Sequence, residues 1–470
     1  MDRRTFLKTV AQAATAAGIA GISGVARANE EATPTAPAGT DRLTLAAVGD
    51  CILARRVSEI KDPDFLALVE LLHGADCVWG NSEFVLADPS TVYPAPKGGD
   101  PHGISDPWAA DELRALGLRL MGTANNHTLD FGYEGLFASL ENLDRVGIAH
   151  AGAGADLAQA ARPGFFDSRA GRISDVNCAS TFPPYFPAGP AHPYLKGRPG
   201  LNALHADYTY QIDRALFERI KEVGTKVDEI LGAKDFDGLI DPPPPGPKDI
   251  TNLGDSTLKA GDRIEVLVEG RKGDVERITQ AVRAARHGSR VVIASIHAHE
   301  ARHTLQEPDL FLPPFAHACL DAGADLFVGT GPHVLRGIEI YKGKPIFYSL
   351  GNFLFHYETV RVVPAEALAT YGLDSRTLDP IAYSEKIGYW KQRRFWQSVV
   401  PRLTWEGERL TAIDLYPLTL GFGQPVDRRG TPRLARGAEA TQILEGIAKL
   451  SQPFRTAITI EDEIGRVRLG

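Results

Sequence analysis

Asp50, Glu83, Asn126-His127, His297, His299 and His333 carry oxygen or imidazole donors, and each stands where a short apolar run gives way to polar residues. That mixture of donors suits divalent transition metals such as Mn²⁺, Fe²⁺ or Zn²⁺ better than Ca²⁺, which prefers oxygen alone. One or two such ions are expected. Two ions about 4 Å apart require a bridging carboxylate, and Glu83 is the natural candidate. Ions of this kind make a nucleophile of water at neutral pH, with an imidazole to protonate the leaving group. Metal-dependent hydrolysis is the chemistry these residue types allow.

Each residue also has a structural alternative. Asp50 after Gly49 suits a helix cap, and Asn125-Asn126 suits a turn that tolerates left-handed backbone. Glu83 suits the surface. His333 after Pro332 suits a core histidine with its hydrogen bonds met, as does His299. Their common placement carries more weight than any one of them.

The elements that must position them follow one grammar. Residues 43–48 form an apolar run halted at Gly49-Asp50, and residues 76–79 stop at Gly80-Asn81-Ser82-Glu83. Residues 118–121 stop at Gly122-Thr123-Ala124-Asn125-Asn126-His127, residues 291–296 at His297-Ala298-His299-Glu300, and residues 326–328 at Gly329 through His333. These read as buried strands. Between them, residues 64–73, 107–116, 133–146, 275–286 and 314–322 show apolar spacing of three to four, which predicts helices. Strands alternating with helices predict an α/β chain with ligands beyond the carboxyl ends of its strands. Residues 165–273 break the rhythm and read as an insertion, with a helix over 208–231 and a stiff proline-rich run at 241–247. Phe182 through Pro187 is also proline-rich, and the insertion either covers the site, contacts a polymer or is a surface excursion. Beyond residue 361, residues 398–405 and 409–418 read as strands joined through Glu406-Gly407, and 438–450 as a closing helix.

Gly49-Asp50, Asn81-Ser82-Glu83, Ala124-Asn125-Asn126-His127 with Asp130-Phe131-Gly132, Gly152-Ala153-Gly154, and Gly323 through His333 followed by Tyr348-Ser349-Leu350-Gly351-Asn352-Phe353 together resemble the CapA family. That family is associated with capsule and poly-γ-glutamate synthesis, and its fold resembles that of calcineurin-like metallophosphatases. The resemblance spans residues 43–356, with a strand tail to 417. It implies a layered α-β-β-α sandwich over 43–360, here with the inserted proline-rich segment and a β-rich extension, 361–470, completing or flanking it. It implies one metal on Asp50, Glu83 and His333, another on Glu83, Asn126 and His297, and His127 as general acid or phosphate contact. The sequence departs from the pattern in places. Nothing after Asp50 supplies the histidine of the first metallophosphatase motif, and Thr330-Gly331 replace the first histidine of the last. His297-Ala298-His299 stands for the family's His-Trp-Gly, which makes His299 a substitute ligand.

His299-Glu300-Ala301-Arg302-His303 is a literal H-E-x-x-H, the zinc-peptidase motif when it lies inside a helix. Here it abuts a β-branched strand, so the peptidase is a remote alternative. Gly152-Ala153-Gly154-Ala155 lacks the third glycine of a dinucleotide fingerprint.

Residues 1–28 resemble a twin-arginine export signal. Arg3-Arg4 precede Phe6-Leu7-Lys8, an Ala/Gly-rich apolar run follows, and Ala26-Arg27-Ala28 suits cleavage. An Ala/Pro/Thr-rich linker, 29–42, comes next. Loss of the signal removes four positive charges and one negative from a net charge of −8, leaving −11. The expected product is periplasmic or extracellular, with no stable membrane span. Four cysteines without C-x-x-C spacing form no disulfide framework, and the acidic balance disfavours nucleic acid. Two functions follow: a hydrolase of a phosphoester or cell-envelope polymer, or a non-catalytic accessory that binds an anionic polymer during synthesis or export. Net negative charge disfavours broad capture of poly-γ-glutamate unless a metal or a basic patch, such as Arg393-Arg394 with Arg428-Arg429, intervenes.

Overall fold

A computed structural model describes residues 41–469 except 98–101, 232–246, 255, 358–362, 378–381, 384–385, 387 and 389–390. The expected export signal, nearly all of the expected linker and most of the 241–247 run lie outside the described residues.

Two sheets face each other across one core. In the first, strands Arg42–Ile52, Cys77–Ser82, Leu118–Gly122 and Ala149–Ala151 run parallel in that order. In the second, Lys344–Phe347, Leu326–Thr330, Val291–His297 and Gly171–Ala179 run parallel, with Ile338–Tyr341 and Gly164–Ser168 antiparallel at the edges. Alternation along a strand divides the side chains between two environments. Leu43, Leu45 and Ala47 meet Ile293, Leu326 and Val328 between the sheets. Ala46 and Val48 pack outward on Phe65, Leu68 and Leu113 of helices Pro63–His73 and Trp108–Ala115. The second sheet repeats this: Val292, Ala294 and Phe327 pack on Ile278, Val282 and Phe315 of helices Lys272–Arg286 and Leu312–Asp321. Helix Pro63–His73 starts where the sequence requires. Asp62 accepts from the amides of Asp64 and Phe65, and Pro63 occupies the first turn.

Three expectations need correction. The first strand does not halt at Gly49-Asp50; it continues to Ile52 with a register shift that re-aims Asp50. The proposed insertion starts too early. Gly164–Ser168 and Gly171–Ala179 belong to the second sheet, with Ile293 paired to Asp175 and His297 to Ala179. Polar Ser174, Asp175 and Asn177 disguise the second of these strands, although all three are buried. Residues 206–213 are a strand instead of the start of the helix, which begins at Arg214, because aromatic and β-branched Tyr208-Thr209-Tyr210 favour extended backbone. That strand pairs with Ser256–Gly261 and Glu265–Gly270, and helix Arg214–Leu231 contributes Phe217 to a small core with Ile212 and Leu258.

Residues after 361 extend the first sheet. Gln397–Glu406 pairs antiparallel with the first strand, Leu45 opposite Leu403, and Arg409–Thr419 follows it as a hairpin. Among the described residues no helix is long and apolar enough to cross a membrane.

Candidate metal centre

The carboxyl ends of strands from both sheets converge, and they bring together all six residues expected to hold metal. Asp50, Glu83 and His297 are fully buried, and His333 nearly so. Asp50, Glu83 and His297 place ligand atoms within 4.8 Å of one another, and so do Glu83, His299 and His333. Glu83 is common to both groups, as a bridging carboxylate would be. Asn126 joins through its Oδ1, 2.9 Å from His297 Nε2. The division differs from the one the family resemblance implies, because His299 groups with His333. Even so, His333 Nδ1 lies 3.5 Å from Asp50 Oδ2.

Buried polar atoms in folded proteins are nearly always hydrogen-bonded. Both carboxylate oxygens of Glu83 are buried, and neither receives a hydrogen bond from the described residues. The ring nitrogens His297 Nε2 and His333 Nε2 stand off at 3.7 and 3.5 Å. His297 Nε2 and His299 Nε2 lie 3.0 Å apart. Acceptor lone pairs thus converge on a common space, and a cation there would satisfy them together. Burial pushes the Glu83 carboxyl well above the usual carboxylate range, and the Asp50 charge adds to this. Burial would raise Asp50 too, but contact with His333 and the Asn81 amide outweighs it and holds the carboxyl at about 2. Burial lowers His297 to about 3 and His299 well below the usual imidazole range, so both rings are neutral and could serve as ligands. The residues present fit a divalent transition metal.

Several positioning groups were not legible in the sequence as such. Asn81 Nδ2 donates to Asp50 Oδ1 at 2.8 Å, and the Gly331 amide donates to Asp50 Oδ2 at 3.1 Å. Asn125 acts as a bracket, its Nδ2 donating to the Ser82 carbonyl and its Oδ1 accepting from the His127 amide. Asn125 and Asn126 do not adopt the left-handed backbone of the turn alternative, and of the two it is Asn126 whose Oδ1 lies beside His297. Asn177 Oδ1 accepts from the amides of Thr123 and Ala124 at 3.1 and 2.7 Å, tying the second sheet to the loop that carries Asn126 and His127. Gly152 has φ of 104°, and a Cβ there would fall 2.1 Å from that same oxygen. His333 has φ of 59°, uncommon for a residue with a side chain and typical of the strain found at functional sites.

His127 stands beside the ligands. Its Nδ1 lies 2.6 Å from Asp130 Oδ2, and Lys97 donates to Asp130 Oδ1 at 2.7 Å and to the Asn126 carbonyl at 3.0 Å. Burial would raise the Asp130 carboxyl, but Lys97 and His127 outweigh it and hold it below its usual range. A cleft of about 490 Å³ opens over Asn126, His127, His299 and His333. Phe182, Pro183, Pro184 and Tyr185 wall it, so the proline-rich segment flanks the site.

The H-E-x-x-H run is not helical. Residues 298–300 carry no regular structure, Ala301 bridges Pro308, residues 302–304 bend, His303 is exposed, and Glu300 accepts from Ser180 Oγ. The zinc-peptidase alternative is thereby overturned. In the suggested basic patch Arg393 is offset by Glu439, while the Arg429 guanidinium keeps its charge and lies over the Trp396 ring.

Two facing sheets with a carboxylate–imidazole cluster at their strand ends define a metallophosphatase-like α/β protein. The chain belongs to the family described as bacterial capsule synthesis protein PGA_cap, whose model matches residues 44–357. It is 35% identical over 458 residues to protein y4sH of Sinorhizobium fredii (strain NBRC 101917 / NGR234), covering 93% of this chain and 95% of that one. It is 24% identical over 351 residues to the capsule biosynthesis protein CapA of Bacillus anthracis, 73% and 67% of the two chains. A probable polyglutamine synthesis accessory protein of Mycobacterium tuberculosis is 27% identical over 251 residues, 53% and 48% of the two.

Proposed function

We propose that the protein is an exported, metal-dependent hydrolase that cleaves a phosphoester or a cell-envelope polymer in capsule or poly-γ-glutamate metabolism. The buried carboxylate of Glu83, without a hydrogen bond from the described residues and faced by the rings of His297 and His333, supports this reading above all. Asp50, Glu83, Asn126, His297, His299 and His333 would hold one or two Mn²⁺, Fe²⁺ or Zn²⁺ ions. When bound, such ions supply Lewis acidity and activate water. Asp130 accepts from His127 Nδ1, which leaves Nε2 to hold or move a proton at the cleft. The apolar wall from Phe182 to Tyr185 excludes water from one side of the substrate. Export by the twin-arginine route, to the periplasm or beyond, fits a metal installed before transport. It is tested by replacing Arg3 and Arg4 with Lys, which should leave the protein in the cytoplasm.

The accessory reading has one specific support, the name of the mycobacterial relative. Metal analysis of protein matured in the cytoplasm, paired with a screen of phosphoester and γ-glutamyl substrates, separates the two. A hydrolase carries metal and turns over one substrate class. Protein free of metal and inert on both classes would sink the proposal.

A further inference from the structure

Arg336 is wholly buried, and among the described residues no carboxylate lies within ion-pair distance of it. Glu300 and Asp309 act on it only from beyond that distance, and a buried charge without a close counter-ion is costly unless dipoles surround it. Here they do. Nε donates to the Leu305 carbonyl at 2.9 Å, Nη1 to Ala298 at 3.4 Å, and Nη2 to His299 at 3.3 Å and Glu300 at 2.8 Å. All four carbonyls belong to the loop that leaves strand Val291–His297 and carries His299. Arg336 itself lies three residues after His333, its own amide tied to the Ser349 carbonyl. One guanidinium therefore staples the His299 loop to the His333 loop.

The staple acts on the backbone at His299. The peptide before its Cα is held on both sides: its amide donates to Thr181 Oγ1 at 2.9 Å, and the Ala298 carbonyl faces Arg336. The peptide after it is held by Nη2. With both planes fixed, the direction of the His299 side chain is fixed. Past the staple, Arg302, His303 and Thr304 are exposed, and the other ties near His299 are the Ala298 amide to the Thr330 carbonyl at 2.9 Å and Ser180 Oγ to Glu300 at 2.8 Å. His297, by contrast, lies within a strand and keeps its place through the ladder.

We propose that Arg336 is a positioning residue that sets the affinity of one metal position, Glu83–His299–His333, and leaves the other, Asp50–Glu83–His297, untouched. The inference rests on the metal centre proposed above. Only the planar fork of arginine reaches several carbonyls at once; a lysine keeps the charge and loses the fork.

The test uses the full chain, stripped with chelator and titrated with Co²⁺, following calorimetry and visible absorption. The wild type should bind two ions. Arg336→Lys should weaken one of them by on the order of 10–100-fold, the usual effect of losing a group that orients a ligand, while the second keeps its affinity and spectrum. Thr181→Val frees the same loop from its other side and should weaken the same ion, which decides the matter if Arg336→Lys fails to fold. Equal affinities in wild type and variants, or equal weakening of both ions alongside a fall in Tm, would overturn the selective role while leaving the metal centre intact. A wild type that takes up no metal, or a single ion indifferent to both substitutions, removes the inference; only the former outcome removes the metal centre as well.

Discussion

Asn352 Oδ1 lies 2.9 Å from His333 Nδ1, and the same amide donates through Nδ2 to the carbonyls of His333 and Phe395 at 3.2 and 3.0 Å. Because Nδ2 is committed to carbonyls, the oxygen must face the ring, and Nδ1 must carry the proton. That leaves Nε2 as the lone-pair atom, on the side of Glu83. The tautomer of a ligand histidine is commonly set by such a partner. Asn352→Leu should lower metal affinity about 10–100-fold. It should also destabilise the fold by about 1–3 kcal/mol, since two buried carbonyls lose a donor. Chelator competition and thermal unfolding check both; unchanged affinity refutes the tautomer assignment.

Gly49 is required by a close approach of backbones. A Cβ on it would sit 1.8 Å from the Gly351 carbonyl oxygen, the group that accepts from the Asp50 amide at 3.0 Å. Gly49→Ala should force these segments apart, cost about 3 kcal/mol, and lower metal content by moving Asp50. Gly273, in the first turn of its helix, meets nothing within 4 Å. Gly273→Ala should stabilise by about 0.5–1 kcal/mol through helix propensity. Equal Tm for the two variants would defeat the argument.

Asp175 bridges the sheets, accepting from Trp79 Nε1 at 2.9 Å and Ser295 Oγ at 2.7 Å. Burial pushes its carboxyl up to about 7 despite both bonds. An acid whose folded pKa exceeds the unfolded value of about 3.9 keeps its proton longer when folded. Its contribution to stability is complete below about pH 4 and is lost as pH rises through 7. Between pH 4 and 8 the wild type should lose at most about 4 kcal/mol relative to Asp175→Asn. Parallel Tm profiles for the two proteins would contradict this.

Much of this site was legible because its candidate ligands follow buried apolar runs, a pattern local to each strand. Asp50, Glu83, Asn126, His297 and His333 were visible in that way. What was hidden depends on contacts across the fold. Asp175 and Asn177 interrupt the apolar residues of their strand, and Trp79, Ser295 and the Thr123-Ala124 amides explain them; the buried Ser174 hydroxyl has no such partner among the described residues. Arg336 and Lys97 look like surface cations in sequence, since nothing local marks a buried one. The grouping of His299 with His333 follows from how residues 298–305 fold back. No spacing rule encodes that.

His127 separates a catalyst from a scaffold. Burial, the largest influence, pushes its ring below the usual imidazole range even though Asp130 pulls the other way. Asparagine at 127 can place its amide near the position of Nδ1 and keep a donor for Asp130, while removing the Nε2 that serves the cleft. His127→Asn should therefore retain fold and metal, yet lower turnover by roughly 10²–10⁴-fold, the usual contribution of a group that moves a proton. Alanine is a poorer probe, because it opens a cavity beside Asp130. Turnover, metal content and Tm are measured together on the same preparation. Equal turnover in wild type and variant, with metal intact, would remove His127 from the chemistry without touching the ligands. If the wild type cleaves nothing offered and the variant restores polymer production in a deletion strain, the site serves binding instead of hydrolysis.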